Sequence, residues 1–325
     1  MKILERPVYA VSTAFLVVGL LLATCAHVSA AEPRHSLSDL IDEIAPSIVQ
    51  IRGVFEGVPQ GATSGKPEQS IQVLGSGFVI NSDQYVITSD SAIYNFRNAV
   101  RVWSGTQALE IRSRELRAGF GATASGSSTA RGEPTPAPPD VAVDVIDEDL
   151  AHDLALVKLH PLPAGTRTSI AKLSTAPFAA GEQVAIVGYP LRKPILIATS
   201  GAIASSNEFE GSRTPLASSL AFPDNLANYY LADVRVLDGS TGSPVVSLDR
   251  GGGITGMCHG SLAGLALDSS GNPIPVCRSV PAKNGRSTSV CDQRIVYSSG
   301  LAVVVPISAA IQLIEKHHLK WTAGE

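Results

Sequence analysis

Charge is scarce in this sequence. Only 17% of its 325 residues are charged, with 25 Lys and Arg against 29 Asp and Glu and a net charge of -4. No basic excess is available to neutralise phosphates, which argues against a nucleic-acid partner. Long apolar runs are almost absent: a single stretch, at the N-terminus, approaches the length of a membrane span. A multi-span membrane protein is therefore excluded. Cysteine is rare, with 4 residues, and no C-x-x-C occurs; the 7 histidines are scattered. A zinc site is not expected from such a distribution. What is abundant is different. Hydrophobic residues make up 44% and mean hydropathy is +0.18, too apolar for a disordered chain and enough for about two domains. The 29 Gly and 21 Pro, beside little Lys and Glu, fit a turn-rich β protein better than a helical bundle.

The first thirty residues read as a secretory signal peptide. Lys2 and Arg6 form a basic start, Val8 to Ala26 is apolar with Leu16 to Leu22 at its densest, and Val28-Ser29-Ala30 is a small-residue cleavage site. An uncut N-terminal anchor is the competing reading, and it is the one route by which the protein would meet a membrane. A lipoprotein reading rests on Leu22-Ala23-Thr24-Cys25, where Thr24 is a poor match. The expected location is the periplasm or the exterior. Loss of Cys25 with the leader leaves Cys258, Cys277 and Cys291. In an oxidising compartment that odd number allows one internal disulfide and one leftover thiol. Cys277 and Cys291 share one polar, turn-rich stretch and are the expected pair.

Beyond the leader, Ser36 opens a short helical pattern that stops at Pro46, with Asp39 completing a capping box. Ser47 to Val54, Ile71 to Ile80, Gln84 to Thr88, Ala99 to Trp103, Ala108 to Ser113 and Val141 to Leu159 have strand character, with Asn81-Ser82-Asp83 as a hairpin turn. Residues 119–140 carry almost no large apolar side chain and are expected as an exposed insertion within a first domain of residues 31–160. In a second domain, 161–325, strands are expected at Gln183 to Gly188, Ile195 to Ser205, Tyr229 to Val234, Ser243 to Ser247, Gly253 to Met257 and Gly300 to Val305. Asn207 to Asn225 and Leu267 to Ser298 read as long polar connections. Ser308 to His318 reads as a final helix capped by Ser308, with Ile311, Ile314 and Leu319 on one face. Many short strands in two halves suggest paired β-barrels, with a single β-sandwich as the alternative.

Three segments carry the chemistry. Gly75-Ser76-Gly77-Phe78-Val79-Ile80 precedes Tyr85-Val86-Ile87-Thr88-Ser89-Asp90-Ser91-Ala92-Ile93. Asp153-Leu154-Ala155-Leu156-Val157-Lys158-Leu159 follows. Then comes Asp233 to Val246, containing Gly239-Ser240-Thr241-Gly242-Ser243-Pro244. In this order and spacing they resemble trypsin-like serine proteases, and most of all the bacterial high-temperature-requirement (HtrA/Deg) family. Gly181 to Pro190, Thr199 to Ile203, Ile254-Thr255-Gly256 and Gly300 to Ile307 add to the likeness, which spans roughly residues 36–319 and leaves no sequence for the C-terminal PDZ domain many members carry. The resemblance implies an all-β fold of two six-stranded barrels with short terminal helices and an active-site cleft between the barrels. It also implies acyl transfer by a Ser, a His and a buried Asp, with backbone N–H groups of Gly239 and Thr241 facing the oxyanion. Neither a cofactor nor a metal is needed for that chemistry.

Departures from the family pattern decide the expectation. Asp153 keeps the triad aspartate position, but Ser91 stands where the family has His, and Thr241 stands where it has the nucleophilic Ser. No histidine lies between residues 36 and 151, the interval that must supply the imidazole. Ser91 cannot act as a base near neutral pH. Thr241 adds a methyl that crowds attack, and it lacks the N-terminal amine that threonine nucleophiles use as base. His152 adjoins Asp153 and is expected to face away from it, as strand neighbours do. Met257, Cys258, His259 and Gly260 match the strand that pairs with bound peptide, with His259 expected as a partly exposed strand-end residue. The sequence thus points to a catalytically inactive homologue that retains a groove for a peptide or protein, an active protease being one such partner. The alternatives are a rearranged peptidase using Thr241 or Ser243 with His259, and a purely structural envelope protein.

Overall fold

The computed structural model describes residues 36–60, 66–120, 140–164, 166, 168–191, 195–205, 209–210, 228–265, 269–270, 274–281, 287–294 and 296–324. The leader and residues 121–139 lie outside the described residues. Helix α1 (Leu37–Ile44) starts as the capping pattern requires, with Ser36 Oγ accepting from the Asp39 N–H at 3.1 Å. A 3₁₀ turn over Ala45–Ser47 then brings Pro46 into its first turn, where a missing N–H costs nothing.

Seven strands follow: β1 (Ile48–Pro59), β2 (Glu68–Val79), β3 (Tyr85–Thr88), β4 (Arg101–Ser104), β5 (Gln107–Phe120), β6 (Asp140–Asp149) and β7 (Leu154–Leu159). They pair in the order β1-β2-β3-β7-β6-β5, and β1 also pairs with β5, from Val49 opposite Phe120 to Pro59 opposite Leu109. Six strands therefore close a barrel, and β4 extends β5 as a hairpin arm. Gly119, Phe120 and Asp140, expected in the insertion, are strand residues. The second half supplies β8 (Lys172–Leu173), β9 (Gln183–Gly188), β10 (Ile197–Ile203), β11 (Phe209–Glu210), β12 (Asn228–Asp233), β13 (Pro244–Ser247), β14 (Ile254–Leu265), β15 (Pro275–Pro281), β16 (Ser287–Arg294), β17 (Val296–Pro306) and β18 (Thr322–Ala323). Here β12-β10-β9-β13-β14-β17 close a second six-stranded ring through the β12–β17 pairing. Two closed barrels set aside the single sandwich.

The barrels explain why many strands read as nearly unbroken apolar runs. Val184 and Ile186 face the core of the second barrel, while their neighbours Ala185 and Val187 face a separate cluster. In the first barrel Val86 and Val157 point inward, and Ile87 and Leu156 point into that same separate cluster. It also contains Leu40 and Ile44 from α1, and it is where the two barrels and the terminal helices meet. Strands buried on both faces lose the inside/outside alternation of a solvated sheet.

Four expectations need correction. A helix, α2 (Asp90–Asn98), stands between β3 and β4 with Ala92, Ile93 and Phe96 buried, where the sequence pattern assigns no element. The final helix, α3 (Ile307–Lys316), begins one residue before Ser308, so Pro306 holds the cap position and no side chain caps it. Strand β14 runs to Leu265, well past Met257. The stretch Leu267 to Ser298 contains a hairpin, β15–β16, in which Cys277 lies opposite Cys291; the side chains of both cysteines lie outside the described residues, as does most of Asn207 to Asn225.

Candidate active site

Asp153 ends a turn that joins β6 to β7, with a left-handed φ of 53°. Asp is one of the few non-glycine residues that tolerate this conformation. The turn also corrects the reasoning about His152, which sits on no strand: its Nδ1 bonds back to Asp149 Oδ2 at 2.7 Å. The Asp153 side chain is buried and lies at the start of α2. Its Oδ1 accepts the Ser91 N–H at 2.7 Å, and its Oδ2 accepts the Ser89 hydroxyl at 2.7 Å. The Ser89 and Ser91 hydroxyls are themselves 2.7 Å apart, and Ser91 Oγ is 3.5 Å from Asp153 Oδ2. A carboxylate on the first-turn amide of a helix is favourable, because those N–H groups have no partner within the helix.

An imidazole also reaches this carboxylate, from the other barrel. His259 Nδ1 bonds Asp153 Oδ2, with both side chains largely buried at 12% and 6% exposure. The cause is local. In the pairing of β14 with β17, Cys258 lies opposite Val304 and Gly260 opposite Val303, so His259 is the extra residue of a bulge. Bulges re-aim a side chain out of strict alternation. Met257 and Cys258, on the regular part of the strand, point into the packed clusters instead. Of the four residues expected to line a groove, these two offer it only backbone. The Cys258 thiol is pushed up to about 12, first by burial and then by the Asp153 charge, so it is not a reactive thiolate near neutral pH.

Opposite lies the turn before β13. Gly239 and Gly242 have φ of 88° and 81°, a region open to glycine and strained for other side chains. A Cβ at Gly242 would also sit 2.1 Å from the Ser76 carbonyl. Of the N–H groups along this turn, Ser240 donates to Leu237 O at 3.0 Å, Gly242 to Cys258 O at 2.8 Å and Ser243 to Ser240 O at 3.0 Å. Those of Gly239 and Thr241 have no hydrogen-bond acceptor among the described residues, and both residues are half-buried. The Thr241 hydroxyl likewise makes no hydrogen bond among the described residues. Ser243 is fully buried against Gly188, where a Cβ would meet its Oγ at 2.0 Å. An attacking group must be reachable, so Ser243 is ruled out as a nucleophile. Ser240 is buried too, its Oγ accepting from the Leu237 N–H at 3.2 Å.

The layout is thus two barrels, an aspartate on the first, and a glycine turn on the second with alternate amides that have no acceptor among the described residues. The trypsin-like peptidase domain family matches residues 75–257, more than half of the sequence. The chain belongs to that family. Among solved structures, an HtrA-type protease, AlgW, with a decapeptide is similar over 86% of this chain and 67% of its own, with a TM-score of 0.52 and 12% identity. A serine-to-alanine variant of AlgW with a decapeptide gives 0.51 and 13%, over 87% and 68%. At such identities the likeness is one of fold. No curated relative matches the sequence. Within this trypsin-like chain, Ser91, Asp153 and His259 are brought together at one carboxylate, and Thr241 bonds to none of them. The His259 contact had one faint sequence signal: a histidine followed by glycine late in a β-rich run that pairs with the nucleophile turn.

Proposed function

We propose that this chain is an exported trypsin-like homologue that binds extended peptides between its barrels without cleaving them. The observation that carries the reading is the Thr241 hydroxyl, which is bonded to no base among the described residues. A hydroxyl attacks an amide well only when a neighbour accepts its proton, and the one imidazole of the site holds Asp153. Two features favour a groove: the alternate amides of the turn have no acceptor among the described residues, and β14 continues past its last pairing with β13, Met257 opposite Pro244, to Leu265. Beyond Met257 the strand has β17 on one side and no strand partner on the other among the described residues. An uncovered strand edge is where a peptide adds by main-chain hydrogen bonding. The structurally similar AlgW was solved with a decapeptide, which is consistent with peptide binding. Export follows from the leader alone.

A second reading has one observation in its favour. With Nδ1 on Asp153, His259 holds the tautomer a general base needs, so a rearranged threonine-type site is its natural competitor. Incubation of the mature protein with unfolded casein and with a fluorophosphonate probe separates the two. The expected outcome is neither cleavage nor labelling. Labelling that disappears in Thr241→Ala and in His259→Ala would replace the first reading with the second.

A further inference from the structure

We infer that the groove recognises the free carboxyl end of its peptide. The inference rests on the peptide-binding reading above and sharpens it. Three donors lie together on the nucleophile turn: the Gly239 N–H, the Thr241 N–H and the Thr241 hydroxyl, none with an acceptor among the described residues. In an active relative the hydroxyl surrenders its proton and the two amides meet an oxyanion that exists only during the reaction. Here no base among the described residues is bonded to that hydroxyl, so it stays a donor, and no attack generates the oxyanion. A neutral peptide carbonyl is a modest partner for such a set. A carboxylate carries its charge permanently, and hydrogen bonds to it are about twice as strong as neutral ones. The Asp153 carboxylate is engaged by Ser89, Ser91 and His259, the bonds that hold it at the head of α2.

Strand direction leads to the same end. Residues Gly242 and Ser243 pair with Cys258 across the start of the uncovered edge, at 2.8 Å in each direction. A peptide lying antiparallel to β14 on the edge beyond Cys258 runs from the Leu265 side toward Cys258. Its C-terminus arrives at the Thr241 turn, where the donors are.

The test is a peptide array in which every sequence is displayed twice, with a free carboxyl end and with a C-terminal amide, probed with the mature protein. Hits are then measured in solution by fluorescence anisotropy with N-terminal labels. The expected result is that the acids bind about tenfold or more tightly than the matching amides. Thr241→Val, which keeps both N–H groups and the branching, is expected to shrink that ratio by weakening the acids more than the amides. Amides binding as well as acids would overturn the carboxylate inference and leave the groove reading standing. Binding of neither form would overturn the groove reading itself.

Discussion

At the scale of single residues, Asp153 has a task that needs no imidazole from the first barrel. It caps the first turn of α2 through the Ser91 N–H and ties the second barrel to that cap through His259. A buried carboxylate with three donors is costly to disturb. Rebuilding catalysis must therefore contend with His259. Ser91→His with Thr241→Ser supplies the missing groups, but the new imidazole would compete for an Oδ2 already held by His259 and Ser89. The double variant is expected to hydrolyse peptide thioesters poorly, and addition of His259→Ser to raise kcat/KM by an order of magnitude or more, about the share a positioned base contributes. Equal activity of the double and triple variants would show that His259 does not obstruct the site. The closeness of Ser91 to Asp153 was legible because each sits inside a local pattern. The reach of His259 was not, since it depends on one unpaired residue between Cys258 and Gly260, and period-two reasoning has no place for a bulge.

Elements tell a similar story. Most strands were visible in the sequence, because β-branched runs ended by glycine or proline need no tertiary information to be recognised. Helix α2 was missed because its first residues continue the strand motif Tyr85 to Thr88, and its apolar positions, Ala92, Ile93 and Phe96, are too few to set a period. The β15–β16 hairpin was missed for another reason: among the described residues its strands pair with each other alone, and the sequence of β16 carries mostly polar residues that set no apolar alternation. That hairpin nevertheless sharpens the cysteine expectation, as Cys277 and Cys291 fall opposite one another in the register. Directly opposed positions of an antiparallel pair are within disulfide reach. Alkylation of the denatured, unreduced mature protein is expected to modify Cys258 alone. Reduction should release both other thiols and lower stability by about 3 kcal/mol, the amount expected for closing a loop of this length. Three thiols labelled before reduction would remove the disulfide.

On the scale of the whole molecule, the barrels meet through an apolar cluster, but the charges around the cleft are arranged less favourably. Asp90 is buried at the head of α2, and its carboxyl is raised to about 6, first by burial and then by the charges of Glu148 and Asp153, with Arg97 opposing. The unfolded chain releases that proton near the ordinary value of 3.8. Between these two values the folded state holds more protons than the unfolded one, so stability falls as pH rises through the window. Asp140, at the start of β6, is raised by burial against Arg52 and Arg117 and adds the same sign. Asp147 works the other way. Hydrogen bonds from Lys316 at 2.6 Å and His317 at 2.7 Å, both from the α3 end, hold its carboxyl well below the usual range. Its contribution is complete above the unfolded value and is lost only as pH falls below it. Taken together, the shifted carboxyls make stability fall on both sides of the ordinary carboxyl value of 3.8, on the acid side through Asp147 and on the other through Asp90 and Asp140. Urea midpoints for the mature protein should accordingly be higher at pH 5 than at pH 7.5. In Asp90→Asn the difference should shrink, because a neutral amide no longer has to lose a proton inside the fold, while Asp147→Asn should weaken the pH 5 midpoint and leave the Asp90 slope in place. A wild-type midpoint that climbs steadily from pH 5 to pH 7.5 would mean that Asp90 is solvated in solution and that the head of α2 is open to water.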